Sequence, residues 1–344
     1  MKKLIVVVLA IVMVFSIAAC GQSSAPAATQ APAAEAPAAE APAAEAPAPE
    51  GFVFNRRIEV MTPSPEGSNA DITLRKMADL LSAELGVDVI VTDMPGASGV
   101  TGYTWAKDQQ HDGYFYQYTS PSAIGSAVLG NFDFDFLGSI TPMCSLLSSK
   151  DVFFTSSKNS KFSDFDSLKE YALANPGKVT IAVQSTTGID GASMGEFLAE
   201  CGFDLKIVNY EADATTACLS GEVDLMMSTY GENEAYIESG DMLPLIVLSD
   251  KRQAELPDVP CTVEVGIDAT LGPWFGFTCF NDTPVEAKEA FEAAVAKVAE
   301  GEEWQNFLLS LGYNVDFRDE AGFTELLNDT ATIMADAFSY FANH

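Results

Sequence analysis

From position 56 onward the chain alternates short runs of branched and aromatic residues with longer runs in which apolar positions recur every three or four residues. The short runs predict strands at 57–62, 87–94, 114–119, 152–155, 178–183, 206–210, 223–228, 243–248, 275–280 and 314–317. The amphipathic runs predict helices at 71–85, 100–108, 165–174, 192–201, 214–220, 232–239, 284–299, 304–311 and 320–341. The helix at 284 carries the clearest start, with Thr283 as N-cap, Pro284 in the first position and Glu286 closing a capping box. "NFDFDFLG" predicts one more strand, with Phe132, Phe134 and Phe136 on a buried face and Asp133 and Asp135 on a wet one; the glycine and further oxygens of a calcium loop are missing. Strands separated by single helices predict right-handed βαβ units, hence an α/β fold with mixed, mostly parallel sheets. Their order fits two domains, the second inserted in the first: 51–148 plus 275–344, and 149–274.

The first fifty residues follow a different pattern. "MKKLIVVVLAIVMVFSIAAC" has two lysines, an uncharged apolar run and small residues before Cys20, as a secretion signal does. The run is shorter than the ~20 residues that span a bilayer, so 1–19 reads as a cleaved signal peptide. Ala18, Ala19 and Cys20 resemble the lipobox of bacterial lipoproteins, in which Cys20 becomes the lipidated first residue. Residues 20–50 continue as APAAE repeats without aromatic or branched aliphatic side chains. Such a segment buries too little apolar surface to offset its ordering entropy, and reads as a solvated spacer.

Charge and rare residues narrow the chemistry. A formal net charge of −31 repels phosphate backbones, which argues against nucleic-acid binding and also opposes the approach of anionic ligands. Beyond Cys20, the cysteines Cys144, Cys201, Cys218, Cys261 and Cys279 form no CxxC pair. They read as mostly buried free thiols in a chain long enough to need no staples, with Cys201 and Cys218 the first pair to test. With only His111 and His344, no histidine cluster can hold a metal, and His111 reads as a surface-loop residue beside the Asp112-Gly113 turn. No dinucleotide or Walker loop occurs, so no cofactor is expected.

What remains is a set of Gly/Ser/Thr-rich turns, each where a strand ends and a helix begins. They are "TPSPEGSNAD" from Thr62, "DMPGASGVTG" from Asp93, "TSPSAIGS" from Thr119, "QSTTGIDGAS" from Gln184, "NYEADATT" from Asn209 and "STYGEN" from Ser228. In open α/β sheets ligands bind beyond the strand C-termini, and helix N-termini offer unpaired N–H groups and a positive dipole end. Such a ring is a socket for a small anion that needs no basic side chain.

The same turns resemble the Bug or TctC receptors of tripartite tricarboxylate transporters. The family loop P-F-P-x-G-G-S-x-D-x-x-A-R is matched by Pro63 to Arg75, and N-R-P-G-A-G-G-x-x-G by Asp93 to Gly102, followed by Asp112-Gly113-Tyr114. A-x-P-G-K is matched at Ala174 to Lys178, G-G-x-V-D-L-M at Ser220 to Met226, the K-R and L-P-D-V-P signatures at Lys251-Arg252 and Leu256 to Pro260, and W-x-G at Trp274 to Gly276. The resemblance implies a type II periplasmic-binding-protein fold, a two-domain Venus flytrap that holds a carboxylate between its lobes through backbone N–H groups and ordered waters. Carried onto this sequence, it implies a binding set of Pro65, Glu66, Gly67, Ser68, Asn69, Asp71, Gly96, Ala97, Ser98, Gly99, Ser120, Ser122, Thr186, Thr187, Gly188, Tyr210, Ala212 and Tyr230. Asp71 is expected to cap the following helix and orient its loop. Two departures stand out: Glu66 replaces a family glycine, and Glu211 replaces the lysine of V-P-Y-K-G. Either acid, turned inward, would repel a second ligand carboxylate by several kcal/mol and favour an amino acid or another small acid with a polar or cationic end.

The expected function is therefore a monomeric, lipid-anchored receptor on the outer face of the cell membrane that hands a small carboxylate, dicarboxylate, tricarboxylate or amino acid, to a membrane permease. A ligand-responsive sensor that signals to a membrane kinase would use the same binding fold. An extracytoplasmic enzyme with Asp71 or Ser122 as nucleophile is the rival from another class, and it lacks a usable histidine and a nucleophile elbow.

Overall fold

The computed structural model describes residues 51–159, 161–210 and 214–343. The signal, Cys20, the spacer, Glu211 and Ala212 lie outside the described residues. The strands are β1 Ile58–Thr62, β2 Val89–Asp93, β3 Phe115–Thr119, β4 Ile140–Ser148, β5 Asp151–Ser156, β6 Thr180–Val183, β7 Lys206–Asn209, β8 Leu225–Thr229, β9 Met242–Val247, β10 Trp274–Phe280 and β11 Asn314–Arg318. The helices are α1 Asn69–Leu85, α2 Val100–Ala106, α3 Pro121–Val128, α4 Phe136–Ser139, α5 Phe165–Ala174, α6 Ile189–Glu200, α7 Thr215–Ser220, α8 Tyr230–Glu238, α9 Val285–Ala299, α10 Glu302–Ser310 and α11 Glu320–Asn343.

Two mixed sheets result, ordered β11-β4-β10-β3-β1-β2 and β7-β6-β8-β5-β9. Each has a parallel half and an antiparallel half. β1 pairs in parallel with β2 and β3, and β6 with β7 and β8. β10 runs antiparallel to β3 and β4, β11 to β4, and β5 to β8 and β9. The parallel share is smaller than βαβ counting predicts, because the chain crosses between sheets through Ser149-Lys150 and 248–273, and the strands beside these crossings run against their neighbours. Residues 50–344 make one compact unit.

Local chemistry explains most element ends. Ser68 is the N-cap of α1, its side chain accepting from the Asp71 N–H, and Gly86 closes the helix at φ 69. Ala70, Leu74, Met77, Ala78 and Leu81 form the helix's buried stripe. The central strands β3 and β5 are buried along their whole length, as strands covered on both faces must be. At α5, Asp164 and Ser167 form a reciprocal capping box.

Several expectations are corrected. β4 and α3 lie where the periodicity of the chain predicts no element. "NFDFDFLG" is a turn leading into α4 rather than a strand: Asp135 is the N-cap, accepting from the Gly138 N–H, and Phe132 and Phe136 stack on one cluster with centroids 4.5 Å apart. The three phenylalanines still join one apolar cluster, as the strand reading also expected, but from a turn and the first residue of α4. At α9, Pro284 is the cap position and no side chain caps the helix, so Thr283 does not play that part. His111 packs inward, its ring stacked on Phe280 at 4.4 Å, with Nδ1 2.6 Å from Asp282 and Nε2 3.0 Å from the Ala106 carbonyl. All five cysteines among the described residues are free and buried, Cys201 and Cys218 included.

Candidate ligand-binding site

The sheet topology brings distant turns to one place. β1 and β3 run parallel, so the turns after Thr62 and Thr119 leave the first sheet on the same side. β6, β7 and β8 do the same in the second sheet, and Asp151 at the start of antiparallel β5 sits opposite Thr229 at the end of β8. β10 starts beside the end of β3, which adds Pro273 and Phe275.

Two connected hollows occupy this convergence. The smaller, about 230 Å³, is lined by Ser64, Pro65, Ser68, Asn69, Ser120 and Ser122 among others, at the N-termini of α1 and α3. The larger, about 580 Å³, is lined mainly from the second sheet, including Asp151, Asp190, Tyr210, Glu232, Asn233 and Tyr313. Asn69, Ile189, Pro273 and Phe275 line both, so the two hollows form one cleft. A depression of about 670 Å³ around Met143, Glu292 and Phe317 is larger, but none of these turns reaches it.

The electrostatics of the cleft are one-sided. Among the described residues, no lysine or arginine lines either hollow. Lys150, next to Asp151 in sequence, instead donates to the Thr270 carbonyl at 3.1 Å. Burial, with the charge of Asp190 adding to it, pushes the Asp151 carboxyl up to about 8. Burial and then the charge of Glu232 push Asp190 up to about 6. Tyr313 is pushed up to about 12 by burial first and Glu232 second, with the Asn69 side chain working the other way. Glu232 is held by the Ser228 hydroxyl at 2.7 Å, which in turn accepts from Asn233 Nδ2 at 2.9 Å.

Residues 73–335 match the profile of the family described as "Tripartite tricarboxylate transporter family receptor", TctC. The chain belongs to the TctC family. Its relatives include BugT of Bordetella pertussis, 26% identical over 226 residues, 64% of this chain and 69% of that one. Among solved structures, a TctC solute-binding protein from Polaromonas has a TM-score of 0.74 at 18% identity, covering 83% of this chain and 98% of its own. MatC of Rhodopseudomonas palustris, solved with bound malate, has a TM-score of 0.65 at 19% identity, covering 82% of this chain and 98% of its own. Another R. palustris protein, solved with adipate, has a TM-score of 0.67 at 19% identity, covering 83% and 97%. This TctC member is thus a solute-binding receptor and not an enzyme. No described helix is long and apolar enough to cross a membrane.

The TctC loop residues divide into lining and supporting groups. Pro65, Ser68, Asn69, Ser120 and Ser122 line the smaller hollow and Tyr210 the larger. Asp71 is buried behind its loop, where Oδ2 accepts from the Gly67 N–H at 2.7 Å and Oδ1 pairs with Arg75 Nε at 2.6 Å. It orients the loop as expected, but the capping position belongs to Ser68. Burial acts to raise the Asp71 carboxyl, and the Gly67 N–H and Arg75 outweigh it, leaving it below the usual carboxylate range. Glu66 is exposed and does not line the cleft; its charge acts on Arg75 and Asp93 instead. Gly67 is exposed at φ 78, a left-handed turn that glycine adopts without cost.

Gly96, Ala97, Ser98 and Gly99 stand outside the lining. Ala97 and Ser98 have φ of 47 and 51, which costs non-glycine residues on the order of 1 kcal/mol each. Ser126 Oγ donates to the Ser98 carbonyl at 3.0 Å, and a Cβ at Gly99 would lie 3.5 Å from Ala123 and 3.6 Å from Pro63. This turn therefore buttresses the two turns that do line the hollow. Thr186, Thr187 and Gly188 precede α6 without lining the cleft, and the Tyr230 hydroxyl turns to Glu234 at 3.1 Å. Sequence reasoning missed Asp151, Asp190, Glu232, Asn233 and Tyr313. The turns quoted from Gln184 and Ser228 contain Asp190, Glu232 and Asn233, but composition alone does not say which residues of a turn face inward.

Proposed function

We propose that this protein is an extracytoplasmic receptor that closes on a small organic carboxylate and delivers it to the membrane permease of a tripartite tricarboxylate transporter. In this reading the two sheets centre two lobes, 51–148 with 275–344 and 149–274, and Cys20 carries the lipid that holds the chain at the membrane. The observation that carries the reading is the smaller hollow, where the first turns of α1 and α3 meet around Ser68, Asn69, Ser120 and Ser122. Two positive dipole ends and hydroxyl donors favour a carboxylate there without a basic side chain. The malate and adipate held by the two R. palustris relatives support the same ligand class.

A thermal-shift panel of mono-, di- and tricarboxylates, amino acids and nicotinate-like aromatics tests it. A ligand at about a hundred times its Kd adds roughly 2.7 kcal/mol, a rise in Tm of about 5 °C for a chain of this size. No rise with any acid would overturn the proposal.

A further inference from the structure

The larger hollow is built with the opposite polarity to the smaller one. Asp151, Asp190 and Glu232 reach it from β5, α6 and α8, and no described lysine or arginine offsets them. Two of its side-chain oxygens are buried and without a partner among the described residues. Asp151 is 2% exposed and its Oδ2 has no hydrogen-bond partner among the described residues. Asn233 is 1% exposed; its Nδ2 donates to Ser228 Oγ and the Thr229 carbonyl, and its Oδ1 has no partner. A buried acceptor without a donor is unfavourable, and an N–H donor on a ligand would satisfy the Asn233 amide oxygen and an ionised Asp151 carboxylate. The aromatic residues Tyr210, Tyr313 and Phe275 line the same hollow, and aromatic rings attract cations. The net charge of −31 draws cations from a distance and slows anions, which suits a ligand that is not itself strongly anionic.

Resting on the carboxylate reading of the smaller hollow, we propose that the ligand is bipolar, with an N–H-bearing cation, ammonium or guanidinium, held in the larger hollow by Asp190 and Glu232 with Asp151 behind them. The carboxylate lies at the first turns of α1 and α3, and the shared wall of Asn69, Ile189, Pro273 and Phe275 lets one molecule span both hollows. A dicarboxylate or tricarboxylate would instead bring its second charge against three acids. Proton linkage gives the reading a definite sign. Asp151 faces Asp190 and Glu232, with the Ser193 hydroxyl and Lys150 as its other polar neighbours, and it keeps its proton through neutral pH. A cation displaces that proton, so affinity for it rises with pH; an anion accepting a hydrogen bond from protonated Asp151 would bind more weakly as pH rises.

The test is calorimetry on the purified protein with probes matched in length. α- and ω-amino acids of two to six carbons are compared with the dicarboxylate, the monocarboxylate and the diamine of equal length, at pH 6, 7 and 8. The expected result is a preference of about tenfold or more for an amino acid over its matched dicarboxylate. Affinity should rise with pH by up to about tenfold per unit, with proton release on binding. Glu232→Gln, at an exposed position whose replacement leaves the core intact, and Asp190→Asn should each remove most of that preference. A dicarboxylate that binds tighter, or affinity that falls with pH, overturns the proposal while leaving the carboxylate reading standing. Binding of diamines without amino acids would keep the cation pole and remove the carboxylate reading. No binding by any probe overturns both.

Discussion

Replacing Asp151 with asparagine keeps the shape of the side chain and removes its ionisable proton, so the change isolates the electrostatic cost of ionising an acid in the cleft. Asp151 is 2% exposed and its carboxyl is raised from 3.8 to about 8, burial being the first cause and Asp190 the second. A carboxyl raised on folding costs nothing below its unfolded pKa. Stability is then lost as pH climbs towards the folded value, because the unfolded chain releases a proton that the native protein retains. The slope is about 1.4 kcal/mol per pH unit for one retained proton, or roughly 3 kcal/mol between pH 5 and 7. For a chain of this length that corresponds to a Tm difference of about 5 to 10 °C. The assay is urea denaturation of both proteins without ligand at pH 5, 6, 7 and 8 and fixed ionic strength, so that titration of the surface acids is common to both. Asp151→Asn should gain on the parent steadily over this range. Any cost of burying an amide shifts its curve without tilting it. Parallel curves would refute the account of the cleft as an acid cluster under strain.

Asp71→Asn should cost about 1 to 2 kcal/mol by weakening the bond from Gly67 and the pair with Arg75. Its folded pKa is depressed, so the deficit against the parent should be complete above the ordinary carboxylate range and shrink as pH falls below it; urea midpoints at pH 3 and 6 check this. A Cβ at Gly231 in α8 would stand 2.7 Å from the Leu311 carbonyl, a backbone contact joining an element beside the second sheet to one beside the first. Gly231→Ala should hold the cleft wider, lowering ligand affinity by roughly tenfold, about 1.4 kcal/mol, in calorimetry, and an unchanged affinity would show that this contact is not needed for binding. The buried cysteines Cys144, Cys201, Cys218, Cys261 and Cys279 should all titrate as free thiols in denaturant and resist alkylation in the native protein, with reducing agent leaving Tm unchanged.

The periodicity of the chain placed most strands and helices because central strands with two covered faces and helices with one buried stripe leave strong patterns. β4 escaped because Pro142 sits inside it and a phenylalanine-rich turn precedes it, so neither side offers a clean boundary. α3 escaped because Pro121, Ser122, Gly125 and Ser126 give its eight residues the composition of a loop. The turns that build the cleft were legible as turns, since each needs Gly, Ser, Thr or Pro between a strand end and a helix start. What the sequence did not disclose is which residues of those turns face inward. Glu66 looks like a departure with consequences for the ligand, yet it lies at the exposed face of its loop, near Arg75. Asp190 and Glu232 look like ordinary first-turn acids complementing a helix dipole. Asp151, Asp190 and Glu232 are far apart in sequence, and only the pairing of β5 with β8 and the placement of α6 bring their charges together.

The most direct measurement of the account is native mass spectrometry of the protein purified from its own cells without added ligand, followed by identification of the small molecule released on denaturation. The expected result is a small compound carrying both a carboxylate and an N–H-bearing cationic group. A nitrogen-free dicarboxylate or tricarboxylate held in the cleft would contradict it.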